Sequence, residues 1–157
     1  MIEKNKENKN PTIGSSLLPI LEEYGVDIIF GIPGVHTVEI YRGLHKTSIK
    51  HITPRHEQGA GFMADGYYRV SGKPAVCLVI TGPGLTNILT ALAQARADSI
   101  PMLIISSVNP YDNKRKISGL LHELPNQQEL LKKIAISSLT VKKIKDLIPA
   151  IKRSFLK

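Results

Sequence analysis

"TPRHEQGAGFMADGYYRVSGKPAVCLVITGPGLTN", residues 53–87, decides the fold. From residue 56 to about 70 the small and apolar residues are spaced as in a helix. AVCLVIT, residues 75–81, is apolar at every position but the last and reads as a strand buried on both faces. Gly82-Pro83-Gly84 closes it, and a second helix runs from residue 85 to about 97. A strand apolar on both faces and set between two helices belongs to a parallel sheet with helices packed on either side.

The alternation continues in both directions. Upstream, Ile13, Leu17, Leu21 and Tyr24 share one helical face, with Thr12 as N-cap, Gly25 past the end and a bend expected at Pro19. VDIIF (26–30) is a strand ended by Gly31-Ile32-Pro33-Gly34, HTVEIYRGLHK (36–46) a short helix, and IKHIT (49–53) a strand. Downstream, PMLIIS (101–106) is a further apolar strand and residues 108–127 are a long loop. QELLKKIA (128–135) follows as a helix, ISSL (136–139) as a weak strand and VKKIKDLIPAIKRSFL (141–156) as a last helix. The fold class is therefore α/β, with three layers, α/β/α, around a doubly wound and mainly parallel sheet.

The 157 residues, 42% of them hydrophobic, suit one domain with its own core. Residues 1–11 are polar and lysine-rich and are expected to form a disordered lead-in. No apolar run approaches the roughly 18 residues of a membrane span, and no leader-like apolar stretch follows the first lysines. No membrane and a cytoplasmic location are expected. Cys77, the only cysteine, lies inside the apolar strand and is expected to be a small buried side chain. Much of the formal charge of +8 is terminal: Lys4, Lys6 and Lys9 lie in the lead-in, and the lysines of the last quarter alternate with aliphatic residues at helical spacing. With neither a helix-turn-helix pattern nor an aromatic RNA-binding signature, these lysines read as solvated helix faces and no nucleic acid is expected.

In an open parallel sheet ligands bind beyond the carboxyl ends of the strands, so the strand-to-helix turns hold the candidate chemistry. Three stand out: Gly31 to Gly34, Arg55-His56-Glu57, and Thr81-Gly82-Pro83-Gly84 with Asn87. Their glycines allow either a tight reversal of the chain or the close approach of a ligand to the backbone. Gly-x-Gly-x-x-Gly, Gly-Lys-Ser/Thr, His-Glu-x-x-His and Gly-x-Ser-x-Gly are all absent, which argues against dinucleotide, P-loop, zinc-peptidase and serine-hydrolase sites. His51 and His56 lack a metal-ligand spacing. Glu57 precedes Gly59, Ala60, Gly61 and Ala64, which leave room for something to lie against the helix. A carboxylate in such a slot has its charged form disfavoured and is suited to exchanging a proton with a bound ring nitrogen. Alternatively, Glu57 only complements the helix dipole.

Taken together, "GVDIIFGIPG", the stretch quoted first, and "ADSIPMLIISS" resemble, in that order, the N-terminal pyrimidine-binding (PYR) domain of thiamine-diphosphate-dependent enzymes of the acetolactate synthase type. The resemblance is strong over residues 12–107 and weaker to the C-terminus. "RHEQGAGFMADGY" with "LHELPNQ" is most similar to the branch that decarboxylates 5-guanidino-2-oxopentanoate. The resemblance implies that Glu57 hydrogen-bonds N1′ of the cofactor's aminopyrimidine, favouring the imino tautomer whose exocyclic nitrogen deprotonates the thiazolium carbon. It also implies that Pro33 and Gly34 approach the pyrimidine, that Thr81 and Asn87 lie in the loop beside it, and that Gln127 reaches the site. His36 and His122 occupy motif loops, either facing the substrate or as satisfied surface histidines. The helix GAGFMADGYYR is similar to the family's subunit-contact helix, so a homodimer is expected.

The family's central domain, and its C-terminal domain with the Gly-Asp-Gly motif for Mg²⁺ and diphosphate, have no counterpart here. Residues 12–157 are thus expected to form a PYR-type domain lacking its last strand and holding only the pyrimidine half of thiamine diphosphate. Mg²⁺ and the diphosphate would sit in a partner domain, with a 2-oxo acid as substrate of the complete enzyme. The chain alone is expected to be inactive, whether it is a piece of a longer enzyme, the PYR subunit of a split decarboxylase associated with a chain carrying the diphosphate-binding domain, or a non-catalytic interaction protein retaining the fold.

Overall fold

Along the strand Ala75–Val79 (β3) every side chain is buried, and alternate residues serve two different cores. Val76 and Leu78 point to one face, with Ile29 of the strand Ile28–Gly31 (β1). There they meet Leu17, Leu18 and Leu21 of the helix Ile13–Glu23 (α1) and Leu147 and Ile151 of the helix Leu147–Phe155 (α6). Ala75, Cys77 and Val79 point to the other face, with Phe30, and meet Ala60 and Ala64 of the helix Glu57–Ser71 (α3) and Leu85 and Ile88 of the helix Pro83–Ala97 (α4). The period of two in the strand thus divides one apolar run between two helical layers. These relationships come from a computed structural model that describes residues 11–109 and 119–156. The expected lead-in, apart from Pro11, lies outside the described residues, as do positions 110–118 of the long loop.

The sheet has the order β2-β1-β3-β4, where β2 is Lys50–Ile52 and β4 is Met102–Ser106, and every pairing is parallel. Phe30 stands opposite both Ile52 and Cys77, and Val79 opposite Ser106, so the strands end nearly level. The chain leaves β1 toward β2 through the short helix Val38–Tyr41 (α2), returns across β1 along α3, and continues to β4 along α4. The direction of winding therefore reverses between β1 and β3, and a crevice opens at their carboxyl ends. Below it α3 and α4 pack closely. A Cβ at Gly61 would lie 2.4 Å from the Cβ of Ala91, so the room left by the small residues of α3 is occupied by α4.

Local chemistry accounts for the boundaries. Thr12 caps α1 by accepting from Ser15 N, the helix continues on both sides of Pro19, and Gly25 follows at φ 82°. The segment 36–46, expected as one helix, is divided into α2 and a 3-10 turn, Leu44–Lys46, on either side of Gly43, the residue least favourable to a continuous helix. Residues 136–139 form no strand. Ile136 and Leu139 are exposed, no neighbouring strand pairs with them, and Arg96 already takes the carbonyls of Ile134 and Ala135. The last helix begins at Leu147 and not near residue 141, which leaves Pro149 in the first turn, where its missing N–H breaks no helical hydrogen bond. The described C-terminal lysines, Lys132 to Lys152, are exposed. Cys77 is fully buried and donates to Ala60 O; burial pushes its thiol up to about 12.

Candidate functional site

Glu57 is the first residue of α3, and His56 caps that helix by accepting from Gln58 N through Nδ1 at 3.1 Å. The glutamate is only 9% exposed, at the carboxyl edge of the sheet where the N-termini of α3 and α4 come together. Helix N-termini favour a carboxylate electrostatically. Asn87, one turn into α4, donates Nδ2–H to Glu57 Oε2 at 2.9 Å. The second oxygen, Oε1, lies against Gly84, where an added Cβ would stand 3.3 Å away. Among the described residues no side chain or backbone donor reaches Oε1. The carboxylate is thus half satisfied, with one oxygen fixed and one open acceptor position at the crevice.

Ile80 joins the Gly31–Gly34 turn to the Gly82-Pro83-Gly84 turn. A Cβ at Gly34 would fall 2.6 Å from its Cγ2, and one at Gly84 would fall 2.7 Å from its Cγ1. At both glycines the space that a Cβ would need is taken by this side chain. The β1 turn is closed independently by Thr37, which accepts from Gly34 N at 3.0 Å and donates its backbone N–H to Gly34 O at 2.9 Å. Pro33 is exposed at its tip. The sequence gives no sign of Ile80's importance, because its role arises from two glycines 50 residues apart.

Gln127 heads the helix Gln127–Ile134 (α5), after Asn126 in left-handed conformation. Its Oε1 accepts from Thr81 Oγ1 at 2.6 Å and from Gly82 N at 3.2 Å, while its Nε2 donates to Ser107 O at 3.2 Å and Ser106 Oγ at 3.4 Å. An amide has two acceptor and two donor positions, and all four are used here. Gln127 and Thr81 therefore brace the ends of β3 and β4 against each other. His51 bonds Gly31 O through Nε2 at 3.0 Å and packs against Tyr41, while His56 serves as the cap of α3. No group of three or more potential metal ligands occurs among the described residues, and none of their helices is long and apolar enough to cross a membrane. Asp65, in the Ala64-Asp65-Gly66 string, lies within α3 and pairs with Arg69, which also holds Asp98. A surface cavity of about 200 Å³ beside Pro149 and Arg153 has no lining residue from a strand-end turn.

The chain matches the family described as thiamine pyrophosphate enzyme, N-terminal TPP binding domain, over residues 11–130. It is 60% identical over 122 residues to the probable 2-ketoarginine decarboxylase AruI of Pseudomonas aeruginosa, a match covering 78% of this chain and 22% of that protein. It is 50% identical over 95 residues to the acetolactate synthase isozyme 1 large subunit of Escherichia coli, covering 60% of this chain and 17% of that one. With acetolactate synthase 2, chloroplastic, of Brassica napus the identity is 34% over 147 residues, covering 92% of this chain and 23% of that one. The chain therefore spans about a fifth of the length of these relatives.

Proposed function

The chain belongs to the N-terminal TPP binding domain family of thiamine pyrophosphate enzymes, and from that premise we propose that it supplies the pyrimidine-facing half of a thiamine diphosphate site in a 2-oxo acid decarboxylase or acetolactate synthase-like enzyme. The half-satisfied carboxylate of Glu57 carries this reading. Asn87 holds Oε2, and Oε1 is left as the acceptor for a protonated ring nitrogen. These residues fit an aminopyrimidine, whose ring nitrogen N1′ can carry the proton that Oε1 accepts. When bound, thiamine diphosphate supplies the electron sink for loss of carbon dioxide from a 2-oxo acid.

In this reading Glu57 accepts and returns a proton at Oε1, and Asn87 sets the angle of its carboxylate. The Gly34 turn, packed on Ile80, and the Thr81–Gly84 turn, braced by Gln127, form rigid walls that need no ordering when the ring enters. Pro33 and Gly34 line one wall, with Thr81 and Asn87 on the other. Gln127 acts through Thr81 and Gly82, its amide being already committed. Mg²⁺ and the diphosphate belong to a partner domain. The face of α3 bearing Phe62, Met63 and Val70, each more than 40% exposed, is the surface for association with a second copy or with that partner. The chain alone is expected to turn over no 2-oxo acid, with thiamine diphosphate and Mg²⁺ present or not.

The test is an assembly in which this chain replaces the corresponding segment of a family member. The wild-type assembly is expected to decarboxylate a 2-oxo acid, and Glu57→Gln to keep cofactor binding while losing about 10²-fold or more in rate. Equal rates for the two assemblies overturn the reading.

A further inference from the structure

Two histidines from distant parts of the chain meet at the rim of this crevice. His36 lies in the β1 turn closed by Thr37, and His122 in the turn following the long loop; their ring centroids are 5.8 Å apart with the planes inclined by 43°. His122 adopts φ 56°, a left-handed conformation uncommon for residues other than glycine, though asparagine, aspartate and histidine enter it more readily than the rest. Its carbonyl fits against Gly82, where a Cβ would come within 2.3 Å of it. The backbone there is thus arranged so that the His122 ring faces His36. In both rings Nδ1 is buried without a hydrogen-bond partner among the described residues, whereas Nε2 is not among the buried orphans.

The asymmetry between the two nitrogens fixes the chemistry. A buried N–H without an acceptor costs about 1–3 kcal/mol and is rarer in proteins than an under-used acceptor. The ring proton is therefore better placed on Nε2, and Nδ1 is left as the buried lone pair. Two such neighbouring rings offer two N–H donors and no second acceptor beyond the buried lone pairs. That donor set suits an oxyanion with two equivalent oxygens. We propose that His36 and His122 form a paired-donor site on the crevice rim that takes the carboxylate of a 2-oxo acid through their Nε2–H groups. The identity of the acid rests on the cofactor reading above, while the pairing of the rings does not.

The experiment is long-range ¹H–¹⁵N spectroscopy of the histidine rings in the full chain at fixed neutral pH. Both rings are expected to show the Nε2–H tautomer; an Nδ1–H pattern in either overturns the proposal. Titration with 2-oxopentanoate should move both sets of ring resonances to saturation, with pentan-2-one and sodium chloride at matched ionic strength leaving them in place. Equal movement with chloride or with the ketone overturns the carboxylate site. His36→Gln, and His122→Asn, which tolerates the left-handed backbone, should each weaken the acid about tenfold or more. Thiamine diphosphate added to the same sample reports separately through the side-chain amide of Asn87. A shifted Asn87 amide with histidines indifferent to the acid overturns the histidine site alone. Histidines that respond while the Asn87 amide ignores the cofactor overturn the cofactor reading, and with it the acid's role as substrate.

Discussion

Asn87 Nδ2 stands 2.9 Å from Glu57 Oε2, and this hydrogen bond joins the first turn of α3 to the first turn of α4 above their shared packing surface. It leaves the other carboxylate oxygen against Gly84, so one side chain orients the other without using up its proton-accepting capacity. The two ends of this bond have different consequences for stability. Asn87→Leu leaves a buried carboxylate oxygen unpaired and should destabilise the chain by about 1–3 kcal/mol in urea unfolding. Glu57→Gln keeps an acceptor for Asn87 and should stay within about 1 kcal/mol of wild type. A larger loss for Glu57→Gln than for Asn87→Leu would mean that Glu57 has a structural role not served by an amide.

Ile80 makes the two glycine turns interdependent. Gly34→Ala and Gly84→Ala each force a Cβ to within 2.6 or 2.7 Å of an Ile80 carbon. Each should cost about 1–3 kcal/mol by overpacking, measured by denaturant midpoint. Ile80→Ala removes the clash, so the Gly34→Ala,Ile80→Ala pair should be non-additive, with a coupling energy of about 1 kcal/mol or more in the double-mutant cycle. Strict additivity would separate the two turns.

Gln127 acts as a clamp with all four of its hydrogen-bonding positions filled. Gln127→Glu removes both donors and sets a carboxylate beside the Ser107 carbonyl, so it should be more destabilising than Gln127→Ala despite its closer shape. Native-state hydrogen exchange at the Gly82 amide supplies a local readout. Protection there should fall in both variants, and unchanged protection would contradict the clamp.

At low pH the tether between Asp27 and Lys73 should be lost. The Asp27 carboxyl is held below its ordinary value of 3.8, first by the hydrogen bond from Lys73 and then by that from Tyr67. A carboxylate depressed in the folded state stabilises at pH values above its unfolded value, and that contribution disappears as pH falls through the folded value. Wild type should therefore melt above Asp27→Asn at neutral pH. The difference should shrink as pH is lowered below 3.8, with the two melting temperatures converging. A gap independent of pH would assign the effect to packing. Because the ion pair is exposed, added salt should narrow it as well.

Much of this architecture was legible before any coordinates. The unbroken apolar run at β3 demanded cover on both faces, and Thr12, Gly25 and Gly82-Pro83 marked the helix ends through local steric rules. The misreadings share a cause. Residues 136–139 have a strand-like composition, but a strand also needs a neighbour with which to pair. The small residues of α3 were read as a slot for a ligand, when the space they leave is filled by Ala91 and Ile88 of α4. In each case the local pattern specified a surface, and the chain elsewhere supplied what covered it.

By itself the sequence determined the α/β alternation, the family, and the three turns where chemistry would gather, because these follow from hydrophobic period, glycine and proline placement and motif spacing within continuous stretches. Only the tertiary structure decided that Asn87 holds Glu57, that Ile80 sits between Gly34 and Gly84, that Gln127 spends its amide on the strand ends, and that His36 faces His122. Each of those pairs is separated by at least 30 residues or bridges separate turns. Sequence patterns encode which face a residue presents, whereas the identity of its neighbour depends on sheet order and register, set by the folding of the whole chain.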